Sequence, residues 1–256
     1  RADRRAARLE MGDPLDRSAA LLRGARAACA FTGAGVSTES GIPDFRSAGG
    51  LWRGVDPMAV ASIQGFEHEP DRFYAFWRWR HGVLQSAKPN AVHRWLAALE
   101  AGGRLRGVVT QNIDGLHRLA GSRAVHELHG CFRQARCDGC AHRCAIETAL
   151  AASQAPGGPR CPDCGARLRP DVTLFGELLP PAFDDAVEAL SDCDLLLVLG
   201  TSLSVYPAAQ LVPHVREGGG AVVLVNAEPT PMDALAEVAI HGQLGQVAAA
   251  LGARAA

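Results

Sequence analysis

Four short apolar runs along the chain each end in small or amide-bearing residues. The runs are residues 27–31, 106–109, 194–199 and 221–225. Helical stretches are predicted at residues 70–86 and 93–100, and Asp16 is expected to cap another helix ahead of the first run. Apolar runs that alternate with helices indicate an α/β fold, with a parallel sheet covered on both faces. The carboxyl ends of such strands meet at one edge, so the four polar loops are expected to form one ligand-binding crevice.

The loop after the first run has the composition of a phosphate-binding loop. Gly33 and Gly35 carry no Cβ that would keep a pyrophosphate away from the backbone. A helix beginning near Ser37 or Thr38 would direct its free N–H groups at the anion. Thr38 replaces the usual third glycine, and a Gly-x-Gly loop alone is equally compatible with an ordinary turn. The carboxylate, aromatic ring and guanidinium of residues 44–46 favour a segment that folds over a dinucleotide.

Length and composition narrow the class of protein. The 256 residues, 48% of them apolar, allow one large α/β domain with a smaller inserted domain. A formal net charge of −1 and a pI near 6.8 argue against an extended nucleic-acid or membrane surface, although residues 1–8 are basic. No apolar run approaches the roughly 20 residues that span a bilayer, and the start lacks the apolar core of a secretory signal. The expected location is the cytoplasm.

Four of the eight cysteines form two Cys-x-x-Cys pairs separated by twenty residues. This spacing is typical of a zinc ribbon, in which four thiolates close a tetrahedral shell and leave no position for water. A structural zinc ion is therefore expected, and cysteines buried without a metal are the weaker alternative. The expected ligands are Cys137, Cys140, Cys161 and Cys164. Cys144 and His142 are nearby spare ligands that a complete set of four thiolates does not need. The remaining cysteines, Cys29, Cys131 and Cys193, are expected in the core.

The nine histidines offer several candidate general bases. Chemistry alone does not choose among His117, His126 and His129. Position favours His129, because it lies where the sheet domain meets the zinc module and precedes a glycine that permits a tight turn. A neutral imidazole at this point would be able to take a proton from a ribose hydroxyl.

These motifs occur in the order found in the sirtuins, NAD-dependent protein-lysine deacylases, which the chain closely resembles. The resemblance covers nearly the whole chain and rests on residues 32–47, 110–117, 128–130, both cysteine pairs, 175–177, 200–207 and Asn226. It implies a Rossmann-like NAD-binding domain formed by residues 1–47, 96–130 and 171–256. It also implies a small domain made of a helical insertion, residues 48–95, and a zinc ribbon, residues 131–170, with one structural Zn²⁺.

The resemblance implies that NAD is consumed and not reduced. The acyl oxygen attacks the nicotinamide ribose carbon, nicotinamide leaves, and the acyl group ends on ADP-ribose. His129 is implied as the general base on the ribose hydroxyls, with Asn112 and Asp114 positioning ribose and water. The residues that correspond to the NAD-binding residues of the family are Gly33, Ala34, Asp44, Phe45, Arg46, Gln111, Asn112, Ile113, Asp114, His129, Gly200, Thr201, Ser202, Asn226 and Gln243.

The resemblance further implies a cleft in which an acyl-lysine peptide is added as a strand and held by main-chain hydrogen bonds. Sirtuins that prefer succinyl or malonyl lysine carry Tyr-x-x-Arg in the helical insertion. Here Trp77 replaces the tyrosine and Arg80 is kept, so we expect a roomy pocket for acetyl and for longer or acidic acyl groups. The expected substrate-binding residues are Trp77, Arg80, Phe175, Gly176, Glu177, Ser204, Val205 and Tyr206.

Three other functions remain open. A dehydrogenase also needs a dinucleotide fold, but the third fingerprint glycine is absent. A zinc-ribbon nucleic-acid-binding protein would use the arginines between residues 133 and 169, but the nearly neutral net charge disfavours it. A mono-ADP-ribosyltransferase shares the first chemical step. The expected partner is an acyl-lysine protein or peptide, bound by a monomer that has no specific nucleic-acid or membrane partner.

Overall fold

The structure is a computed structural model that describes residues 12–47 and 49–255. The basic start of the chain and the expected domain boundary at residue 48 lie outside the described residues. The strands are β1 (Ala28–Thr32), β2 (Gly107–Thr110), β3 (Val125–Glu127), β4 (Gly130–Cys137), β5 (Arg143–Ala145), β6 (Leu168–Val172), β7 (Leu195–Leu199), β8 (Ala221–Asn226) and β9 (Val238–His241). The helices are α1 (Pro14–Gly24), α2 (Pro57–Val60), α3 (Ile63–His68), α4 (Pro70–Ser86), α5 (Ala91–Ala101), α6 (Leu116–Leu119), α7 (Ile146–Ala152), α8 (Ala182–Leu190), α9 (Leu211–Glu217) and α10 (Leu244–Ala255).

The larger sheet has six parallel strands in the order β3-β2-β1-β7-β8-β9. The chain builds outward from β1 in one direction and from β7 in the other, so the strand order reverses between these two strands. Ligands of open α/β sheets bind at such a reversal, beyond the carboxyl ends of the strands. The four expected strands are confirmed as β1, β2, β7 and β8. The pattern missed β3 and β9, which are edge strands of only three and four residues.

Consecutive residues of the central strands face opposite sides of the sheet, so each apolar strand contributes to two cores. On one side, Leu195, Leu197 and Leu199 pack with helices α1, α5 and α10. On the other side, Leu196 and Val198 pack with α8 and α9. This double burial explains why the strands are almost continuously apolar.

The first helix and the helix in the glycine-rich loop begin earlier than expected. Helix α1 begins at Pro14, and its N-cap is Asp13 instead of Asp16, because the Asp13 carboxylate accepts the Leu15 N–H at 3.0 Å. Residues 34–40 form a 3-10 helix that begins at Ala34 and not near Ser37 or Thr38. A short 3-10 helix follows at Leu51–Arg53.

Helices α4 and α5 are found where the sequence predicts them. Helix α4 has the predicted bounds, whereas α5 begins two residues before residue 93. The reason is Asn90, whose side-chain oxygen accepts the N–H groups of Val92 at 3.0 Å and His93 at 3.3 Å. In α4, Phe73 and Trp77 are buried, while Trp79 faces outward with 48% of its surface exposed.

A third apolar cluster lies outside the parallel sheet. It joins the aromatic face of α4 to a small antiparallel sheet of order β5-β4-β6 and to helix α7. Trp77 stacks on Phe132 of β4 with ring centroids 5.0 Å apart. Cys29 and Cys193 are buried in the core as expected, but Cys131 is only partly buried. Within residues 12–47 and 49–255, no helix combines the length and apolar character needed to cross a membrane.

Candidate active site

A cavity of about 950 Å³ opens at the carboxyl edge of the parallel sheet. Its wall includes the loops that follow β1, β2, β7 and β8, so the predicted convergence of these loops is confirmed. Every residue predicted from the sequence to bind NAD or substrate lines this cavity except Ser204. The Ser204 side chain is exposed, and its hydroxyl lies 2.7 Å from that of Ser202.

The two glycines of the first loop have a packing role that the sequence interpretation did not include. A Cβ on Gly33 would lie 2.7 Å from the Cβ of Thr201, and a Cβ on Gly35 would lie 2.8 Å from the Cα of Gly200. The Gly35 N–H also donates to the Gly200 carbonyl at 2.8 Å. The glycines therefore let the loop after β1 contact the loop after β7 directly, which brings both loops to one binding site.

A hydrogen-bond network orients the two candidate ribose-binding side chains. The Asn112 amide nitrogen donates to the Gly33 carbonyl at 3.0 Å and to the Ser37 hydroxyl at 3.1 Å, and that hydroxyl donates to Asp114 at 2.7 Å. Both amide hydrogens of Asn112 are thus used, which leaves its carbonyl oxygen as the group for a ligand. Ser37 was not predicted as a site residue. The signal that could have identified Ser37 as a site residue is its position in the glycine-rich loop, where a hydroxyl can bind a neighbouring polar side chain.

Several groups around Asp114 influence the pKa of its carboxyl. Burial raises the pKa of the Asp114 carboxyl, while the Leu116 N–H and the Ser37 hydroxyl oppose that shift by donating to its oxygens. The Arg80 guanidinium also opposes it by electrostatic attraction. Two hydrogen bonds therefore hold Asp114, one from its own segment and one from the loop after β1, and the Arg80 charge acts on it without a direct contact.

His129 has one ring nitrogen available to a ligand. Its Nδ1 lies 2.9 Å from the Gln111 carbonyl oxygen, which can only accept, so Nδ1 carries the proton and Nε2 carries the lone pair. Burial lowers the pKa of His129 from 6.5, and the bond to Gln111 opposes this shift without reversing it. The imidazole is therefore neutral near pH 7. Gln111 is itself held by Thr201, whose hydroxyl accepts from its amide at 2.9 Å.

The other two candidate histidines do not line the cavity. His117 is 2% exposed, and its Nε2 lies 2.9 Å from the Thr32 hydroxyl. Its ring is 4.8 Å from that of His93, and burial lowers the pKa of His117 to about 3. His126 lies on the edge strand β3. The structure therefore resolves the choice that the sequence left open, because only His129 of the three reaches the cavity wall.

Two buried donor groups face the part of the cavity formed by α4. Arg80 Nη1 and Trp77 Nε1 have no hydrogen-bond partner within the described residues. Burial lowers the pKa of Arg80 to about 10, and Asp114 opposes this shift, so the guanidinium stays charged near pH 7. Its carbon lies 5.3 Å from the centroid of the Phe45 ring. Unpaired buried donors of this kind are costly unless a ligand supplies an acceptor.

The Asp44 carboxylate stabilises the loop that carries residues 44–46. Asp44 Oδ1 accepts the N–H groups of Arg46 at 3.0 Å and Ser47 at 2.9 Å. The Phe45 ring lies 5.0 Å from that of Trp52. Phe45 is therefore held over the cavity by packing with Trp52 and Arg80.

The far end of the cavity is formed by the loop after β8 and the start of α10. Asn226 Nδ2 donates to the Glu228 carbonyl at 2.8 Å, and Gln243 lies on the same wall. Glu39, which the sequence interpretation missed, accepts the Gly245 N–H at 2.9 Å. This contact joins the loop after β1 to α10, two segments that lie more than 200 residues apart in the sequence.

Residues 175–177 form another wall of the cavity. The Phe175 N–H donates to the Ala61 carbonyl at 2.8 Å, and the Phe175 carbonyl accepts from Ile63 at 3.1 Å. The Glu177 carboxylate is held by Arg136, whose Nη2 donates to it at 2.8 Å. The Glu177 carboxylate is therefore engaged within the protein and is not free to contact a peptide.

The four paired cysteines form a complete ligand set for one metal ion. Their sulfur atoms all lie within 4.8 Å of one another. Cys137 and Cys164 are 3.4 Å apart, and Cys140 and Cys161 are 3.6 Å apart, close to the roughly 3.8 Å edge of a tetrahedron with Zn–S bonds of about 2.3 Å. The Gly139 N–H donates to the Cys137 sulfur at 3.2 Å. The donor set fits a closed, structural Zn²⁺ site, as predicted.

Comparison with known proteins identifies the family. The model of the Sir2 family matches residues 33–207. The NAD-dependent protein deacylase 2 of Pyrobaculum aerophilum is 45% identical over 228 residues, which cover 89% of this chain and 90% of the relative.

Solved structures agree with this match. Sir2 with a deacetylated p53 peptide and 3'-O-acetyl ADP-ribose has a TM-score of 0.88 at 36% identity, covering 93% of this chain and 96% of that one. Sir2Tm bound to a propionylated peptide has a TM-score of 0.84 at 37% identity, covering 92% and 95%. Together with the family match, the similarity over most of its length means that this chain belongs to the Sir2 family.

Proposed function

We propose that this NAD-dependent protein deacylase transfers acyl groups from lysine side chains to ADP-ribose with His129 as the general base. The observation that carries the proposal is the His129 ring, which is neutral and has its Nε2 lone pair free on the wall of the cavity that Asn112 also lines. NAD supplies the ribose carbon that accepts the acyl oxygen as nicotinamide leaves. His129 then removes a proton from a ribose hydroxyl, whose oxygen attacks the acyl carbon. The bond from this carbon to the lysine nitrogen breaks, the lysine amine leaves, and a water molecule adds to the same carbon, so that the acyl group remains on ADP-ribose as an ester.

The other residues have binding and orienting roles in this proposal. The Asn112 carbonyl oxygen and the Asp114 carboxylate orient the ribose and a water molecule. Asp44 and Ile113 hold the nicotinamide amide, and Phe45 covers the reacting face and excludes water. The loops after β1, β7 and β8 bind the remainder of NAD.

The proposal is tested by identifying products after incubation with NAD and a mixed acyl-lysine peptide library. We expect one nicotinamide and one acylated ADP-ribose for each lysine that loses its acyl group. Mass spectrometry detects both products. Absorbance of reduced nicotinamide would support a dehydrogenase instead, and ADP-ribose attached to the acceptor protein would support a mono-ADP-ribosyltransferase.

The arginines of the zinc module support a protein partner over a nucleic acid. Arg133 pairs with Glu127 at 3.0 Å, Arg136 pairs with Glu177 at 2.8 Å, and Arg143 pairs with Asp171. Side chains engaged in this way are not free to bind phosphates.

The proposed enzyme is a monomer, since one chain supplies all the residues assigned to NAD and zinc. The need for reduced thiolates supports the cytoplasm as its location.

We also propose a division into two lobes. The large lobe contains the parallel sheet, and the small lobe contains the helices from α2 to α4 together with the zinc ribbon at residues 131–170. Val92 and Leu96 of α5 pack with the sheet core, so the small lobe is proposed to end near residue 90 and not at residue 95. The cavity between the lobes receives the acyl-lysine.

The acyl pocket is proposed to accept acetyl, longer and acidic acyl groups. Arg80 Nη1 and Trp77 Nε1 offer two buried, unpaired donors to an acyl carboxylate. Similarity to a structure with a propionylated peptide supports acyl groups longer than acetyl. The carboxylate of a succinyl group would form a charged hydrogen bond with the Arg80 guanidinium.

Replacing Arg80 with methionine is expected to lower kcat/KM for a succinyl-lysine peptide by about 10- to 100-fold relative to an acetyl-lysine peptide, because a charged hydrogen bond contributes roughly 1.5–3 kcal/mol. Arg78→Met is the matched control, since Arg78 lies on the same helix but donates to Ser153 at 2.9 Å and does not line the cavity. An unchanged ratio of the two substrates in Arg80→Met would dismiss a carboxylate-binding role for Arg80.

A further inference from the structure

A buried arginine links the wall of the acyl-lysine cleft to the first zinc knuckle. Arg169 of β6 is 2% exposed. Its Nε donates to Asp138 at 2.8 Å, its Nη1 donates to the Val172 carbonyl at 3.2 Å, and its Nη2 donates to Glu177. We call Asp138, Arg169 and Glu177 the Arg169 bridge. The planar guanidinium fixes the direction of all three contacts, which a lysine ammonium would not do.

At one end of the bridge, Glu177 closes a turn that lines the cleft. Its Oε1 accepts from both Arg169 and Arg136, and its Oε2 accepts the Leu174 N–H at 2.8 Å. The Glu177 N–H donates back to the Leu174 carbonyl at 3.0 Å. Gly176 within this turn has φ of 94°, which other residues rarely adopt. The carboxylate therefore sets the conformation of residues 174–177 from the side away from the substrate.

At the other end, Asp138 belongs to the zinc knuckle. It follows Cys137 directly, and its N–H donates to the Arg167 carbonyl at 3.3 Å. Asp138 does not line the cleft. It lines a second cavity of about 460 Å³, which also includes Arg169 and Glu177. Any influence of Asp138 on substrate binding must therefore pass through other residues.

The buried charge of Arg169 depends on the two carboxylates of the bridge. Arg169 is almost fully buried, whereas the side chains of Asp138 and Glu177 are 34% and 17% exposed. Removing one carboxylate leaves the buried guanidinium with fewer acceptors, which is unfavourable in a low-dielectric environment. The guanidinium then has to shift, and the turn that it holds shifts with it.

We propose that Asp138, Arg169 and Glu177 are positioning residues for the acyl-lysine peptide, through which the zinc knuckle sets the geometry of the peptide-binding wall. The inference rests on the proposed function in taking residues 175–177 as part of that wall. NAD is bound mainly by loops of the parallel sheet, which the bridge does not contact. Disturbing the bridge should therefore weaken peptide binding and leave NAD binding unchanged.

The decisive experiment compares Asp138→Asn with Asp163→Asn. Asp163 lies in the second knuckle and contacts His142 at 2.8 Å instead of an arginine. The Kd of a fluorescent acetyl-lysine peptide is expected to rise about tenfold in Asp138→Asn and to stay within about twofold in Asp163→Asn. The Kd of ADP-ribose and the zinc content per chain are measured in both variants, and neither is expected to change.

Glu177→Gln provides a second measurement from the cleft end of the bridge. It should raise the peptide Kd by at least a similar factor, and the double variant Asp138→Asn/Glu177→Gln should bind no more weakly than the weaker single variant, because Asp138 acts on the cleft only through Arg169 and Glu177. Unchanged peptide affinity in Asp138→Asn, additive losses, or weaker binding that appears only with zinc loss would overturn the inference. A wild-type protein that binds peptide but releases no nicotinamide would contradict the proposed function alone.

Discussion

Replacing His129 with alanine is expected to lower kcat/KM for deacylation by about 10²- to 10⁴-fold, the usual contribution of a general base. The ring is neutral, its proton lies on Nδ1 in the bond to Gln111, and its Nε2 is free on the cavity wall. No other histidine lines this cavity among the described residues. The variant should remain folded and retain zinc, since the metal site uses other residues.

The wild-type pH profile gives a second readout of His129. Because burial lowers the pKa from 6.5, the base is lost only on acidification below that value. The kcat/KM should therefore rise with pH below 6.5 and then level off, and His129→Ala should lack this rise. His126→Ala is the control, since His126 lies on β3 away from the cavity. Near-normal turnover by His129→Ala would remove His129 from the role.

Replacing Cys161 with serine is expected to abolish zinc binding and to unfold the small lobe. Structural zinc sites contribute roughly 10–16 kcal/mol of apparent binding free energy, and this energy is coupled to folding. In a chain of this size each kcal/mol corresponds to roughly 2–4 °C in Tm, so a decrease of at least about 10 °C is expected. Activity should disappear as well, because the cleft loses one wall. Metal analysis and thermal unfolding measure both effects.

The control for the zinc prediction is Cys144→Ser. Cys144 lies on β5 close to the metal site, but its sulfur is not part of the four-cysteine cluster. This variant should keep one zinc per chain and a Tm close to that of the wild type. One zinc per chain in Cys161→Ser, or zinc loss in Cys144→Ser, would show that the ligand set has been assigned wrongly.

The features that the sequence predicts correctly depend on residues that lie close together in the chain. The cysteine pairs lie at spacings that only a few kinds of site require, and helix α4 has the predicted bounds because its apolar period and flanking prolines lie within one segment. Local patterns failed at Asp16, because Asp13 lies close enough to compete for the same cap. They also failed at β3 and β9, because edge strands are partly exposed and do not need a long apolar run.

The residues of the site were predicted better than the contacts between them. Gly33 and Gly35 were predicted to approach a phosphate, and the contact that requires them is the one with the loop at Gly200. Ser37 and Glu39 were missed because a hydroxyl and a carboxylate in a loop have many possible partners. Their actual partners, Asp114 and the Gly245 N–H, lie far away in the sequence.

The sequence by itself determined the parallel sheet, the convergence of four polar loops at one edge, the four paired cysteines and the resemblance to the sirtuins. These features depend on residue type and spacing within short segments. Only the tertiary structure decided which histidine reaches the cavity, which groups hold Asp114, and that the Glu177 carboxylate is bound by Arg169 and Arg136. Contacts such as those of Ser37 with Asp114 and of Arg136 with Glu177 join distant segments of the chain, and only the packed core fixes their distance.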